Sequence, residues 1–534
     1  MSSPRSRPRF SDDEVGRARA NSPPPASPPP PYYSDPDSET TTTATVATPR
    51  EDQPLLRDPA AAIEAGESWK PPRGFIWIEL AIMANVFLYG LDGTITAATY
   101  AVISSEFDAA NTASWLTTSY LVTSTAFQPL RSDDDGGTDI EKIATIVNSD
   151  MIPFRRRGMY QALQNGMFGF GAVAGASFGG SIADHIGWRW CFLLQVPVSI
   201  MALTLGALVI KNPEGGFDID TNDWRAIWSR VDVSGALLLV VAISVQLVGL
   251  SLGGNELPWG SAIVIGTLVG SVLLLALFVL VEARTKAIPV IPLRMLRGKL
   301  PIFTQISNVC AGLAAYAYLF MLPLFFQVVL LDSATKAGAR LAIPSLATPL
   351  GGLFAGIVMS RWGKLIWLVR AGAFLMLFGN SLVTALQFQD SQWKYLVYIF
   401  PANLGQGIIY PAILFTTLAS FDHADHAVSA STVYLVRSLG TVWGVAITSA
   451  IVQTTLSLRL PEVLGDIPDK SRLIDEIRHS VTALKTLPVE VRLPARHVYY
   501  EGIQYAFAAS TTFAGIALIA ALFASPRGLR STHK

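Results

Sequence analysis

The chain has 534 residues, of which 51% are hydrophobic and only 15% are charged, whereas soluble domains usually contain about 25% charged residues. This composition excludes an ordinary soluble protein, and a formal net charge of +0 without a basic excess argues against nucleic-acid binding. Cys191 and Cys310 both lie in apolar runs, so neither a disulfide framework nor a metal site is indicated. No motif points to an enzyme or to a bound cofactor.

Residues 1–70 form a tail rich in Ser, Pro, Thr and acidic residues, a composition that predicts a disordered cytosolic segment. Within it, Pro30, Pro31, Tyr32 and Tyr33 match the Pro-Pro-x-Tyr pattern, which can adopt a polyproline helix that ends in an aromatic residue. WW domains of ubiquitin-ligase adaptors bind this shape. A solvated Pro-rich tail without a partner is the alternative.

A second short signal follows in the same tail. Glu51, Leu55 and Leu56 match the acidic dileucine pattern, in which an acid precedes a Leu-Leu pair by four residues. Sorting adaptors use this pattern to deliver membrane proteins to vacuoles and lysosomes. A match of this length also arises by chance, so the pattern predicts a sorting function without establishing it.

Two apolar runs, Phe75–Ala98 and Ala113–Leu130, follow the tail, and each is about long enough to cross a bilayer as a helix. The first run contains Asp92. Lipid rejects an ionised acid unless it faces a protein interior or water, so an acid inside a span indicates a functional site. The alternative is a hydrated acid near the luminal end of the helix.

Counting the later apolar runs gives about twelve complete spans with both termini in the cytosol. The positive-inside rule supports this orientation, because Arg155–Arg157 and the basic loop 283–301 fall on the cytosolic side. Glu282, beside that loop, is interpreted as an interfacial charge. The further runs lie at 160–183, 188–210, 232–252, 261–282, 302–327, 340–359, 366–386, 395–418, 428–452 and 502–524.

The third run contains a stripe of small residues at spacings of about four. Gly171, Gly175, Gly179 and Gly180 share one region of this helix, with Ala176 beside them. Small residues allow a neighbouring helix backbone to approach closely, so the stripe predicts helix packing that a rocking transporter can use. Direct contact with a ligand is the alternative.

These motifs resemble the major facilitator superfamily, in particular fourteen-span drug:proton antiporters. The segment 91–95, Leu-Asp-Gly-Thr-Ile, matches the first-span motif, and the stripe resembles the antiporter motif with Ala176 where Pro is usual. The segment 187–197 resembles the entry to a later span. The sequence of residues 100–120 resembles fungal vacuolar basic amino acid transporters more closely than typical drug exporters.

The resemblance implies an all-α polytopic membrane protein with a major facilitator fold of two helical bundles and two extra central spans. It also implies that Asp92 couples transport to protons. The expected organisation is the tail 1–70, an incomplete N-terminal bundle at 71–210, two central spans within 211–300, a C-terminal bundle at 301–524 with a luminal loop at 453–501, and a cytosolic tail at 525–534.

One helical hairpin appears in the family but not in this chain. After Leu130 the family continues with a cytosolic gating loop, a third span and a fourth span that carries a buried Arg. Here the polar segment 131–142 stands instead, and the apolar run 143–152 is too short to cross a membrane alone. The N-terminal bundle is therefore expected to be incomplete. An alternative transcript and a gene-model error both explain this pattern.

Several polar residues within the remaining spans are expected to line a cavity or to gate it, although membrane helices also use such residues to hold one another. For Arg437, pairing with an acid or a substrate anion and a structural or gating role both stay open. The set comprises Tyr120, Gln128, Gln195, Gln327, Asn403, Tyr410 and Arg437.

Three functions follow from these observations. The first is a proton-coupled transporter in the vacuolar membrane that moves basic amino acids into the vacuole. The second is a plasma-membrane exporter of drugs or other small molecules. The third is a shortened isoform that does not transport. All three functions require the bilayer as a partner. The first two also require a small-molecule substrate and protons.

Overall fold

The computed structural model describes residues 75–113, 115–116, 119, 152, 154–209, 232–285, 289–421, 426–465, 469–481, 483–485 and 487–525. These residues form helices joined by short connections, and no β-strand occurs among them. The helices are α1 Phe75–Glu106, α2 Phe154–His185, α3 Arg189–Leu193, α4 Gln195–Val209, α5 Val233–Leu252, α6 Ala262–Arg284, α7 Lys299–Leu324, α8 Ala334–Ser345, α9 Ala347–Trp362, α10 Leu365–Thr384, α11 Lys394–Val397, α12 Phe400–Leu418, α13 His426–Val463, α14 Lys470–His479 and α15 Val489–Phe523.

Ten helical segments of the described chain are long and apolar enough to cross a membrane, and they correspond to ten of the twelve predicted runs. The predicted run 188–210 contains α3 and α4, which meet at Leu194. The predicted run 113–130 lies mainly outside the described residues. The prediction of an all-α protein that crosses the membrane several times is confirmed.

The helix α7 is the most enclosed of these ten spans, because 83% of its apolar window is buried, against 17% for α6. Its contact with α13 depends on glycine. A Cβ atom on Gly440 would lie 2.3 Å from the Val309 carbonyl oxygen, and one on Gly444 would lie 2.5 Å from that of Leu313. The two backbones therefore touch along this line, while α6 exposes most of its apolar surface, as a lipid-facing helix does.

The predicted luminal loop 453–501 is largely helical. The helix α13 continues to Val463, α14 follows, and α15 begins at Val489. Charged residues lower the hydropathy of this segment, so a count of apolar runs does not detect its helices. Apolar side chains nevertheless pack into one core with the end of α7, and they include Leu456, Leu460, Ile477, Val481, Leu484 and Val498.

Candidate translocation site

Asp92 lies just beyond the middle of α1 and is half-buried. The predicted run had placed it six residues from a helix end, but α1 continues to Glu106. The hydroxyl of Thr96 donates a hydrogen bond to the Asp92 carbonyl oxygen at 3.0 Å, and that of Thr94 donates to the Gly90 carbonyl oxygen at 2.9 Å. Both threonine hydroxyl groups therefore bond to the backbone of α1 itself. Asp92 therefore lies on a continuous helix, four residues before Thr96, where the apolar span of α1 ends.

The glycine stripe of α2 packs directly on α1 around Asp92. A Cβ atom on Gly171 would lie 2.1 Å from the Phe87 carbonyl oxygen, and one on Gly175 would lie 2.4 Å from the Leu91 carbonyl oxygen. On the α1 side, a Cβ atom on Gly90 would lie 2.2 Å from the Phe168 carbonyl oxygen. No side chain larger than hydrogen fits these positions, so the two helices meet backbone to backbone.

The remaining stripe residues extend this packing to a third helix. A Cβ atom on Gly180 would lie 2.3 Å from the Ala334 carbonyl oxygen at the start of α8, and one on Gly338 of α8 would lie 2.0 Å from that of Ala176. Gly179 makes a looser contact, 3.2 Å from the Ile95 side chain. The stripe therefore places α2 between α1 and α8, which belong to the two predicted bundles.

The C-terminal third of α1 contacts α7 through Tyr100. The Tyr100 hydroxyl donates a hydrogen bond to the Phe320 carbonyl oxygen at 3.0 Å, and the two rings stack with centroids 4.4 Å apart. A cavity lined by Tyr100 of α1 and Phe320 of α7 has a volume of about 20 Å³, and a cavity needs roughly 10–15 Å³ to hold one water. This cavity is too small for an amino acid, so α1 and α7 are closed against each other here.

The segment after α13 reinforces this closed layer. The Val481 backbone N–H donates to the Ser105 hydroxyl of α1 at 3.0 Å. Arg478 of α14 donates to the carbonyl and side-chain oxygens of Asn255, at 2.8 and 2.7 Å, in the connection between α5 and α6. This segment therefore joins α1 to the central pair of helices.

A polar clamp connects the end of α1 with the start of α3. The Glu106 carboxylate accepts hydrogen bonds from Trp188 Nε1 at 2.6 Å and from Arg189 Nη1 at 3.0 Å. The hydrogen bond from Trp188 and then that from Arg189 lower the pKa of Glu106 from its usual range. Glu106 and Arg189 therefore form an exposed ion pair between these two helices.

The C-terminal half contains a second polar cluster, centred on Arg437 of α13. The Arg437 guanidinium carbon lies 4.1 Å from the centre of the Tyr410 ring and 5.2 Å from that of Tyr434. Arg437 Nε lies 3.4 Å from Asn308 Oδ1 of α7, and Arg437 Nη2 is buried with no hydrogen-bond acceptor among the described residues. The structure thus brings together two predicted residues, Arg437 and Tyr410.

The other predicted polar residues are distributed along the chain. Asn403 accepts a hydrogen bond from the Tyr318 hydroxyl at 2.6 Å, which joins α12 to α7. Gln327 is buried in a π-helical turn after α7, and its Nε2 has no acceptor among the described residues. Gln195 Nε2 donates to the Cys191 carbonyl oxygen at 3.1 Å, within its own region.

The remaining predicted positions cannot be placed. Tyr120 and Gln128 lie outside the described residues, and so do all residues of the two sorting signals, Pro30, Pro31, Tyr32, Tyr33, Glu51, Leu55 and Leu56.

Sequence reasoning missed Glu79 in the first turns of α1, although it lies in the same apolar run as Asp92. Glu79 is only 5% exposed. Its Oε2 accepts a hydrogen bond from Gln164 of α2 at 3.4 Å, and its Oε1 is buried without a donor among the described residues. The signal was an acid inside an apolar run, the same signal that identified Asp92.

These features, a bundle of spans with close glycine contacts and a closed layer between two groups of helices, define a polytopic membrane protein. The family model for the Major Facilitator Superfamily matches residues 143–445, and the chain belongs to this superfamily. The family prediction and the prediction of a multi-pass membrane protein are therefore confirmed.

Three fungal relatives show the same affiliation. The chain is 38% identical over 467 residues to the Uncharacterized transporter C460.03 of Schizosaccharomyces pombe, covering 78% of this chain and 81% of the relative. It is 38% identical over 455 residues to the Vacuolar basic amino acid transporter 2 of Saccharomyces cerevisiae, covering 76% and 96%. It is 31% identical over 484 residues to the Multidrug resistance protein fnx1 of S. pombe, covering 82% and 89%.

Among solved structures, an inward-facing, occupied structure of a bacterial homolog to the human lysosomal transporter Spinster matches with a TM-score of 0.47 and 13% identity. The match covers 87% of this chain and 100% of that chain.

Proposed function

We propose that this chain is a proton-coupled secondary transporter of small organic solutes, and that its substrates are basic amino acids moved into the fungal vacuole. The observation that carries the proposal is its 38% identity to the Vacuolar basic amino acid transporter 2, over 96% of that relative's length. On this proposal the chain is not an enzyme, because it exposes a substrate site first on one side of the bilayer and then on the other without changing the substrate chemically.

Asp92 is the proposed proton carrier. It sits eight residues before Tyr100 on α1, which is about 12 Å along the helix axis. The contact between Tyr100 and Phe320 then separates Asp92 from the lumen. Opening that contact would let Asp92 exchange its proton with the acidic side, and closing it would allow exchange with the other side.

We further propose that one hairpin is missing between Leu130 and residue 143. The match to the Vacuolar basic amino acid transporter 2 runs over 455 positions but includes 76% of this 534-residue chain, about 406 residues. About 49 positions of the relative thus have no counterpart here, and two spans of about 20 residues with their turns need a similar number. The shortfall supports the alternative function, a shortened form of the protein that does not transport.

The role of Asp92 can be tested in a version of the chain with the hairpin restored. We expect Asp92→Asn to abolish gradient-driven uptake of labelled Lys, His and Arg by isolated vacuoles, because an amide cannot release a proton. The exposed Asp475 of α14 provides a matched control, and Asp475→Asn should leave uptake unchanged. Full uptake by Asp92→Asn, at equal protein abundance, would reduce Asp92 to a structural residue.

The second candidate is an exporter of drugs or other small molecules in the plasma membrane. The 31% identity to the Multidrug resistance protein fnx1 supports it. A fluorescent protein fused to the C-terminus separates the two candidates. Signal on the vacuolar membrane supports amino acid uptake, and signal only at the cell surface rejects it.

We also propose that the N-terminal tail binds a sorting adaptor and a WW-domain ubiquitin-ligase adaptor. Replacing Leu55 and Leu56 with Ala should move the fusion from the vacuole to the cell surface. Replacing Tyr33 with Ala should slow its ubiquitin-dependent turnover without changing its location. Unchanged location in the first variant would remove the dileucine signal from the proposal.

A further inference from the structure

Two acidic side chains meet at one end of the central helix pair, the end that the charge pattern assigns to the cytosol. Asp232 directly precedes α5, and Glu282 lies in the last turn of α6. Their exposed fractions are 3% and 5%. Glu282, interpreted from the sequence as an interfacial charge, is instead buried against the neighbouring helix.

Each carboxyl group has one oxygen with hydrogen-bond donors and one oxygen without. Asp232 Oδ1 accepts from the Gly235 N–H at 2.8 Å and from the Ser234 hydroxyl at 2.7 Å. Glu282 Oε1 accepts from the Ile291 N–H in the connection that follows α6. The other oxygens, Asp232 Oδ2 and Glu282 Oε2, are buried and have no donor among the described residues.

These two free oxygens face each other across Gly235. A Cβ atom on Gly235 would lie 2.5 Å from Asp232 Oδ2 and 3.1 Å from Glu282 Oε2, and the two carboxyl groups are within hydrogen-bonding reach. An ionised carboxylate only accepts hydrogen bonds, so two such groups repel each other and leave both oxygens unsatisfied. One proton between them removes both problems.

No described cation offsets this pair. Arg284, Arg297 and Lys299 are exposed, and no described basic side chain forms an ion pair with either carboxyl. The elements packed together in this region instead contribute apolar groups. From α5, α6, the connection after α6 and α13, these are Ala236, Leu239, Phe278, Val290, Leu435 and Leu439.

We propose that Asp232 and Glu282 form a proton-binding site that holds one proton between Asp232 Oδ2 and Glu282 Oε2. The shared proton fastens α5 to the end of α6 and, through Ile291, to the connection that leads into α7. Loss of the proton leaves two buried anions, which releases this connection. The site is separate from Asp92 and does not depend on the identity of the substrate.

The neutral variant Glu282→Gln tests this site, because its amide N–H replaces the proton permanently. The thermal unfolding midpoint of the purified full chain in detergent is measured from acidic to alkaline pH. For the unmodified chain we expect the midpoint to fall as pH rises, since the folded state binds one proton more than the unfolded state. The folding equilibrium constant should drop by up to about tenfold per pH unit.

Over the same pH range, the midpoint of Glu282→Gln should fall much less than that of the unmodified chain, and the exposed control Glu490→Gln should fall like the unmodified chain. Asp232→Asn provides a second neutral variant, because its side-chain oxygen can still accept the hydrogen bond from Gly235. If the unfolding midpoints of Glu282→Gln and Asp232→Asn fell with pH as much as that of the unmodified chain, the proposal would be overturned.

Infrared spectra give a readout that does not require reversible unfolding. We expect a protonated-carboxyl band at neutral pH that is reduced in Glu282→Gln and unchanged in Glu490→Gln. A band of equal size in all three proteins would overturn the proposal. A second outcome would also overturn it. If sodium chloride, but not choline chloride, raised the unfolding midpoint of the unmodified chain at alkaline pH, a metal cation rather than a proton would occupy the site.

Discussion

The helices α1 and α7 begin the two halves of the molecule, yet their surroundings differ. In the apolar window of α1, 39% of the residues are buried, against 83% in that of α7. Each helix touches one partner at glycine positions, α1 with α2 and α7 with α13. The helix α7 also bonds α15, where the Ser510 hydroxyl donates to the Ala314 carbonyl oxygen at 2.9 Å, and α12 through Tyr318. The proposed loss of a hairpin from the N-terminal half would produce such a contrast.

The largest expected effect comes from restoring the hairpin after Leu130. New neighbours for α1 would enclose Asp92, so we expect proton-dependent uptake of labelled Lys, His and Arg to rise from background to a clear signal. Isolated vacuoles containing either version at equal abundance provide the measurement. Equal uptake by both versions would show that the shortened chain is already competent, and the contrast between α1 and α7 would then have no functional consequence.

Matched glycine substitutions test the two halves directly. Gly440→Ala and Gly171→Ala both force a Cβ atom into a carbonyl oxygen, and overpacking of this kind costs about 1–3 kcal/mol. We expect the larger fall in unfolding midpoint for Gly440→Ala, because the enclosed α7 cannot move away, whereas α1 can shift towards lipid.

Gly266→Ala is the control for this pair, since nothing lies within 4 Å of its Cβ position. It should leave the midpoint unchanged or raise it slightly. A larger fall for Gly171→Ala than for Gly440→Ala would contradict the proposed difference between the halves.

A smaller effect is expected for the Arg437 cluster of the C-terminal half. Stacking of the Arg437 guanidinium on the Tyr410 ring contributes about 1 kcal/mol to stability. We expect a double-mutant cycle of Arg437→Met and Tyr410→Leu to give a coupling free energy of about this size. Tyr410→Phe keeps the ring and should keep most of the coupling. A coupling near zero with Leu would show that the contact is not energetically significant.

The smallest effect concerns the exposed clamp of the N-terminal half. The hydrogen bonds from Trp188 and Arg189 lower the pKa of Glu106, so its contribution to stability is present above the usual range of a glutamate and disappears as pH falls through the lowered value. Glu106→Gln should therefore reduce the unfolding midpoint slightly at neutral pH and not at strongly acidic pH. A reduction of equal size at both would exclude the ionised form as the cause.

Sequence reasoning identified the spans well because a membrane span needs about 20 apolar residues, and that need is visible in any window of the chain. It did not predict the helices within segment 453–501, because charged residues lower the hydropathy of helices whose apolar sides pack on α7. Among polar residues, it identified Asp92 by its isolation in an apolar run. It missed Glu79 and Asn308, whose importance depends on which neighbouring helix they face.

The sequence by itself determined the class of protein, the family, and the position of Asp92 and the glycine stripe along their helices, because each is recorded in local composition and spacing. Only the tertiary structure decided which groups meet. Arg437 stacks on Tyr410, and Asp232 faces Glu282, although 49 residues separate the two acids along the chain. Such pairs depend on how helices pack, and the energy of a charged group depends on its partners in space, which no single stretch of sequence contains.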